Sequence, residues 1–223
     1  MHAEDQTQFD YSLLGTKGPG RWGDLKEEWG ACKSGSLQSP IDMSSFRVEI
    51  FEKSGEIKRS YTPSNAIVKN RGHDISVLWL NNSAGTIKIN GTDYFLQQGH
   101  WHSPSEHTIN GRRFDLELHM LIENVMPIAD KLEERNIGVI DPEDIKMGGR
   151  KYYRYMGSLT VPPCTEGVIW TINKRMRTVS LDQVRALRIA VQDYAEVNAR
   201  PLQPLNHRGV QFYCRTMKTH LTN

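Results

Sequence analysis

The sequence predicts a mainly β protein with peripheral helices. From about Ala66, apolar and polar residues alternate in short runs that are typical of strands. Residues that favour turns separate these runs, at Asn70–Gly72, Asn81–Ser83 and Asn90–Gly91. With 223 residues the chain suits one domain with a sizeable core, or at most two small ones.

The elements follow in chain order. Residues 1–45 are rich in Gly, Pro, Ser and Trp and predict an irregular N-terminal arm. The strand runs form a β-meander whose apolar positions are Val68, Ile75, Val77, Trp79, Ile87, Ile89, Tyr94 and Leu96. A short helix is predicted from Pro127 to Arg135. A second helix starts at the capping box of Ser180 and Gln183, and its apolar face comprises Val184, Leu187, Val191 and Tyr194.

Charge and hydropathy exclude several classes of function. The formal net charge is +2, from 28 basic and 26 acidic residues, so neither nucleic acid nor an anionic membrane is expected as a partner. We interpret the cluster Lys174, Arg175 and Arg177 as a solvated strand edge. No stretch is apolar enough to span a bilayer. The polar N-terminus has no signal-peptide core, so the chain is cytosolic, or a targeting segment has been removed or is missing.

The three cysteines, Cys32, Cys164 and Cys214, show no C-x-x-C spacing, which argues against a zinc ribbon or a thioredoxin-like site. An odd number allows one disulfide and one free thiol. Sequons begin at Asn81 and Asn90, and they would be glycosylated only in a secretory context.

A histidine pattern indicates a metal site. His100 and His102 are two residues apart, so in a strand both side chains point to one face. Asn110–Gly111 is a strong two-residue hairpin signal, and a hairpin closed there would place His119 on the same face, directly opposite His102. Three neutral histidines would leave zinc one open position, which is the pattern of catalytic sites.

Carboxylates share the predicted face. The same alternation brings Glu106 and Glu117 towards the histidines. A metal-bound imidazole usually donates its second N–H to an oxygen atom. We expect Glu117 to orient His119 in this way, and the amide oxygen of Gln98 to orient His100.

At these residues the sequence resembles the α-class carbonic anhydrases, and most closely their plant branch. The two most specific stretches are His100–His107 and Gly157–Cys164. Further matching stretches are Gly20–Gly23, Gln38–Ile41, Asn70–His73, Phe114–Met120, Tyr155–Trp170 and Asn198–Asn206. The resemblance implies a single domain over residues 1–223, built on a large, mostly antiparallel, twisted central sheet.

The resemblance also implies an activity, the zinc-dependent hydration of carbon dioxide to bicarbonate and a proton. His100, His102 and His119 match the zinc ligands. Thr160 matches the threonine that orients the attacking oxygen, and Glu106 matches the carboxylate that accepts the proton of that threonine in a hydrogen bond.

Further roles concern protons and substrate. His73 matches the proton-shuttle histidine, a task that suits a side chain with a pKa of about 6.5. Tyr11 and Ser76 lie where the family holds its proton-relay waters. Residues matching the apolar carbon dioxide pocket are Leu121, Leu159, Val161, Val168 and Trp170. The match also implies a disulfide between Cys32 and Cys164, hence an oxidising compartment: the secretory pathway, the extracellular space or the chloroplast.

The sequence departs from the family after Glu123. There the family continues with an apolar strand beside the strand of the third histidine, and this chain lacks it. Either the chain is a variant that folds poorly, or the remaining sheet closes over the gap. The main expectation is therefore an active zinc lyase, as a monomer or homodimer. The alternative is a catalytically impaired storage or binding protein, a role that some plant relatives have.

Overall fold

A computed structural model describes residues 8–51, 57–123, 134–145, 151–191 and 197–214. Within these ranges the chain is mainly β, as predicted. The strands are β1 (Asp42–Met43), β2 (Val48–Phe51), β3 (Lys58–Tyr61), β4 (Ser64–Asn70), β5 (Ile75–Trp79), β6 (Gly85–Ile89), β7 (Thr92–His102), β8 (Thr108–Ile109), β9 (Glu117–Glu123), β10 (Glu134–Ile140), β11 (Tyr152–Ser158), β12 (Glu166–Asn173) and β13 (Val210–Tyr213).

The large antiparallel central sheet has seven strands. Its order is β10-β4-β5-β7-β6-β3, and β9 pairs with the other edge of β7. The predicted meander is β4 to β7, and its turns lie where the sequence places them. Asn90 and Gly91 have φ of 50° and 88°, the left-handed values that a tight hairpin turn requires.

A second sheet has the order β12-β11-β13-β2. Its strands are antiparallel except for the parallel pair β13 and β2. A short parallel pair, β1 with β8, forms a third sheet.

A gap separates the two larger sheets. In the described residues, β9 pairs only with β7, and β12 pairs only with β11. The resemblance predicts that this chain lacks an apolar strand beside the strand of His119. The gap lies next to that strand, β9. Within the described ranges no backbone pairing joins β9 to β12, and residues 124–133, which follow β9 directly, lie outside those ranges, so the alternative that the remaining sheet closes over the gap stays a prediction.

The described helices are short. They are α1 (Trp22–Leu25), α2 (Ala31–Ser34) and α3 (Leu181–Ala190), with 3-10 turns at Glu27–Trp29, Leu80–Asn82 and Pro142–Ile145. The capping box that starts α3 is confirmed, and Val184 is its buried residue; Tyr194 lies outside the described residues.

The prediction of a helix over Pro127–Arg135 is wrong at its C-terminal end. Glu134 and Arg135 belong to β10, which pairs with β4, while residues 127–133 lie outside the described ranges. Pairing with a distant strand therefore overrides the local helical preference.

The described part of the N-terminal arm packs through aromatic residues. Phe9, Trp22 and Trp29 are at most 2% exposed, and Phe9 contacts both tryptophans edge to face. Cys32 and Cys164 complete this cluster. No helix in the described residues is long and apolar enough to cross a membrane.

Candidate metal centre

Strands β7 and β9 bring the three histidines together. His100 lies directly opposite His119, and His102 lies opposite Glu117. The prediction that His102 faces His119 is wrong by two residues. The turn itself is as predicted, because Asn110 and Gly111 have φ of 50° and 74°.

The two arms of the hairpin explain the shift. Ile109 and Arg112 flank the turn as a bridged pair. From there the arm back to His102 is two residues longer than the arm forward to Glu117. An even shift keeps every side chain on its face, so the predicted histidine face is correct although the partner is not.

The imidazole rings form a compact triangle. Ring centroids are 5.1 Å apart for His100 and His102, 5.1 Å for His100 and His119, and 4.4 Å for His102 and His119. One nitrogen from each ring lies within 4.8 Å of the other two, a spacing that can hold one metal ion.

Hydrogen bonds orient two of the rings. His102 Nδ1 lies 2.6 Å from the carbonyl oxygen of Asn198, and His119 Nε2 lies 3.0 Å from Glu117 Oε1. A carbonyl or carboxylate oxygen can only accept, so His102 Nδ1 and His119 Nε2 carry the protons. The other ring nitrogens, His102 Nε2 and His119 Nδ1, keep their lone pairs.

Unpaired nitrogens in the interior favour a cation. His102 is fully buried, and its Nε2 has no hydrogen-bond partner. Leaving such an atom unpaired costs about 1–3 kcal/mol, which coordination to a metal would remove. The donor set and its burial therefore fit zinc.

His100 differs from the expectation. Its Nδ1 is buried without a hydrogen-bond partner, so the bond expected from Gln98 is not formed. Burial, together with the nearby Arg71 and the other two histidines, holds the pKa of His100 well below its usual 6.5. The ring is therefore neutral at neutral pH, as a metal ligand must be.

Glu117 anchors the centre, as expected. Its Oε2 accepts from the backbone N–H groups of Glu106 and His107, at 2.8 Å each. Burial opposes its ionisation, but His107 and His119 outweigh burial and hold the pKa of Glu117 well below 4.5. Burial lowers the pKa of His119, which keeps that ring neutral beside the carboxylate.

Sequence reasoning missed His107 and Asn198. His107 Nδ1 donates to Glu117 Oε1 at 2.8 Å, and its Nε2 accepts from the Tyr155 hydroxyl at 2.6 Å. For His107 the signal was its place in the specific His100–His107 stretch. Asn198 acts through its backbone carbonyl, 96 positions from His102, so its residue type carried no signal.

Glu106 lies beside the triangle. It is fully buried, its Oε1 accepts from the Arg200 backbone N–H at 2.9 Å, and its Oε2 has no hydrogen-bond partner among the described residues. The expected bond from Thr160 is therefore not made, although Thr160 is itself 4% exposed and lines the cavity beside the histidines.

This cavity has a volume of about 1470 Å³ and reaches His100, His119 and Thr160. Its wall includes every residue predicted for the substrate pocket, which are Leu121, Leu159, Val161, Val168 and Trp170. Ser76, Gln98 and Glu117 also line it.

His73 and Tyr11 lie elsewhere. His73 is 8% exposed, and its Nε2–H donates to the Phe9 carbonyl at 2.6 Å. It lines a separate, smaller cavity with Trp101 and Asn198. Tyr11 packs edge to face on His73 with centroids 5.4 Å apart, and burial raises its pKa well above 10. The structure thus does not place His73 or Tyr11 at the main cavity, where a proton shuttle and relay were expected.

The expected disulfide is present. Cys32 and Cys164 are bonded, and Cys214 is a free, half-buried thiol. Cys164 follows Thr160 by four residues in the chain.

Comparison with known proteins agrees with the site. The family model described as eukaryotic-type carbonic anhydrase matches residues 17–136 and 121–214, two pieces that overlap at the point where the chain is short. Alpha carbonic anhydrase 7 of Arabidopsis thaliana is 50% identical over 238 residues, covering 94% of this chain and 86% of the relative.

Solved structures agree as well. A dioscorin complexed with ascorbate has a TM-score of 0.87 and 38% identity, covering 94% of this chain and 99% of its own. The α-carbonic anhydrase of Thermovibrio ammonificans, in complex with the inhibitor sulfanilamide, has a TM-score of 0.78 and 35% identity, covering 91% and 98%. The chain belongs to the eukaryotic-type carbonic anhydrase family.

Proposed function

We propose that this chain interconverts carbon dioxide and bicarbonate, with a zinc ion held by His100, His102 and His119. The observation that carries the proposal is the convergence of three imidazoles, with His102 and His119 buried and His100 half-buried; His102 Nε2 has no hydrogen-bond partner among the described residues. Three protein ligands leave tetrahedral zinc an open position for chemistry.

Zinc bound here would lower the pKa of a coordinated water from that of bulk water to about 7, an effect for which this family is the established example. The protein supplies orientation. Glu117 fixes the His119 ring and the Asn198 carbonyl fixes the His102 ring, so both rings present a lone pair to one point.

We assign Thr160 and Glu106 to orienting the attacking oxygen. Glu106 Oε2 is buried and unpaired, so it is an acceptor ready for the hydroxyl proton of Thr160. When Thr160 donates its proton to Glu106, Thr160 Oγ1 can only accept a hydrogen bond from the attacking oxygen. That bond directs the reacting lone pair of the attacking oxygen away from Thr160. The apolar wall formed by Leu121, Leu159, Val161, Val168 and Trp170 suits a nonpolar substrate such as carbon dioxide.

The test combines zinc content with hydration kinetics on the purified chain. We expect one zinc per chain and hydration that sulfanilamide inhibits. Thr160→Ala should keep the zinc and lose about a hundredfold or more in kcat, whereas His119→Gln should lose the zinc. Thr62→Ala, at an exposed threonine away from the cavity, is the matched control. Hydration that survives Thr160→Ala unchanged would refute the role of Thr160.

One observation favours a second function, a storage or binding protein of impaired activity. Among the described residues no strand joins β9 to β12 at the pocket wall, and the similar dioscorin structure is of a complex with ascorbate. One zinc per chain without hydration would support this function against the enzyme. Absence of zinc from a folded chain would contradict the proposed metal centre.

We also propose an oxidising location, in the secretory pathway, the extracellular space or the chloroplast. The disulfide of Cys32 and Cys164 supports it. Asn81 and Asn90 are exposed in turns, so both sequons are accessible to glycosylation. Mass spectrometry of the protein from its native source would check this location.

A further inference from the structure

Asn198 lies beside the metal centre in a segment that is neither helix nor strand. Residues 197–200 precede β13 and pass the end of β7, where His102 lies. The segment belongs to no sheet, so its position beside the histidines depends on bonds other than a strand ladder.

The Asn198 carbonyl orients the ring of His102. The carbonyl oxygen lies 2.6 Å from His102 Nδ1, so that nitrogen carries the ring proton and Nε2 keeps the lone pair. Any residue could supply a carbonyl at this point, so this bond alone does not require asparagine. What requires asparagine is the set of bonds that its side chain makes.

The side-chain amide of Asn198 binds the backbone on both sides of His102. Its Oδ1 accepts from the Ser103 N–H at 2.7 Å, and its Nδ2 donates to the Trp101 carbonyl at 3.1 Å. Nδ2 also donates to the carbonyl of His73, at 2.8 Å, in the turn between β4 and β5. The backbone N–H of Asn198 donates to the Ser103 carbonyl at 3.2 Å. The carbonyl that orients the ring is thus fixed to the stretch of backbone that carries the ring.

An amide suits these partners better than other side chains of similar size. It offers an acceptor oxygen and two N–H donors, and here both ends are used. Aspartate would accept from the Ser103 N–H but would turn its second oxygen towards two carbonyl oxygens. Leucine would keep the branched shape and make none of these bonds.

A competing acceptor lies near the same ring nitrogen. Glu106 Oε1 is 3.7 Å from His102 Nδ1, and it accepts from the Arg200 backbone N–H at 2.9 Å. A carboxylate is a stronger acceptor than a carbonyl. If the Asn198 carbonyl moved away, the ring N–H would turn to Glu106, and Nε2 would leave its present direction.

We infer that the side-chain amide of Asn198 is a positioning group for the zinc ligand His102. It holds the carbonyl that selects the ring tautomer, and it thereby keeps Nε2 directed at the point where the three imidazoles converge. The role in zinc affinity rests on the proposed metal centre. The effect on the ring itself holds without zinc.

Zinc affinity tests the first part. Asn198→Leu removes every side-chain bond and Asn198→Asp keeps only the acceptor, so each should lower zinc affinity about 10–100-fold. Competition against a fluorescent chelator measures the change. Gln203→Met is the matched control, because the Gln203 amide lies in the same segment and donates to the nearby Pro201 carbonyl. It should leave zinc affinity unaltered.

Nuclear magnetic resonance of the zinc-free chain separates positioning from general loosening of the fold. With isotopically labelled histidine, the protons on His102 Nδ1 and His119 Nε2 are observed where hydrogen bonds protect them from exchange. In Asn198→Leu the His102 signal should shift or disappear. The His119 signal should stay in place, because Glu117 holds that proton. His102→Gln and His119→Gln identify the two signals by their loss.

Two results would overturn the inference. One is zinc affinity equal to that of the parent chain in an Asn198→Leu chain that circular dichroism shows to be folded. The other is an unchanged His102 signal, or equal displacement of both histidine signals, since the amide would then have no separate effect on His102. A parent chain that binds no zinc would contradict the proposed metal centre, and the two histidine signals would still decide whether the amide positions the ring.

Discussion

At the scale of single residues, Glu117 connects the metal centre to the rest of the fold. One carboxylate oxygen accepts from two ring N–H groups, of His107 and His119, and the other accepts from two backbone N–H groups. Three of these four bonds fix the half-buried carboxylate and the fourth orients the His119 ring, so we expect zinc affinity to depend on this charge.

Replacing the carboxylate with an amide tests that dependence. Glu117→Gln removes the charge and turns one oxygen into a donor that faces other donors, so zinc affinity should fall about 10–100-fold. Competition against a fluorescent chelator measures the change. Glu49→Gln, at an exposed position in β2, is the control and should leave zinc affinity unaltered.

Titration of the histidines predicts an acid-sensitive apoprotein. Burial lowers the pKa of His100 and His119 in the folded chain below the usual 6.5. Below pH 6.5 the unfolded chain therefore binds more protons than the folded chain, and the free energy of unfolding falls as the pH falls.

Urea unfolding of the zinc-free chain at pH 7.5 and pH 5.5 checks this prediction. His100→Asn should show a weaker pH dependence than the parent chain, because one of the two shifted groups is gone. Equal pH dependence in the two chains would show that His100 does not contribute.

At the scale of elements, helix α3 depends on its cap. It buries Val184, and Leu181 and Ile189 are 70% and 76% exposed, so packing contributes little to its stability. The capping box supplies two bonds, Gln183 N–H to Ser180 Oγ at 3.1 Å and Ser180 N–H to Gln183 Oε1 at 3.0 Å.

Ser180→Ala should therefore destabilise the helix by about 1 kcal/mol. Amide exchange of residues 181–190 is the measurement, since it reports opening of this helix alone. Ser45→Ala, at an exposed serine outside the helices, should leave that exchange unchanged.

Local elements could be predicted from sequence because their signals are local. The residues that form the capping box at Ser180 lie within a few positions of one another, and so do those that form the turn at Asn110–Gly111. The partner of His119 could not be predicted, because unequal hairpin arms moved the register by two. Strand β10 could not be predicted either, since its partner β4 lies more than 60 positions away in the chain.

At the scale of the whole molecule, the disulfide ties the N-terminal arm to the segment that carries Thr160. Its cysteines are separated by 132 positions, so the bond closes a long loop in the unfolded chain. Long loops give large stabilisation in the chain-entropy account.

Removing the disulfide should destabilise the folded chain. The double change of Cys32→Ala and Cys164→Ala should reduce the free energy of unfolding by about 2–5 kcal/mol. Chemical denaturation measures it, with Cys214→Ala as the matched removal of an unpaired thiol. A midpoint equal to that of the parent chain would contradict the role assigned to the bond.

The extent of the sheets was only partly predictable at this scale. The shortfall after Glu123 indicated a missing strand, but whether β9 and β12 would close over it depends on how the two sheets pack. No sequence pattern reports that packing, and in the part of the chain that the structure describes β9 and β12 each pair with one neighbour.

The burial of His73 has a consequence for turnover. Each hydration releases a proton that must leave the protein, and the ring expected to carry it is held against the Phe9 carbonyl, away from the main cavity. Small buffer molecules entering the wide cavity would then take the proton directly. Maximal hydration rate should accordingly rise with the concentration of an imidazole buffer at constant pH and ionic strength. His73→Ala should leave that dependence unchanged, and a marked loss of rate in low buffer on this substitution would show that His73 carries protons after all.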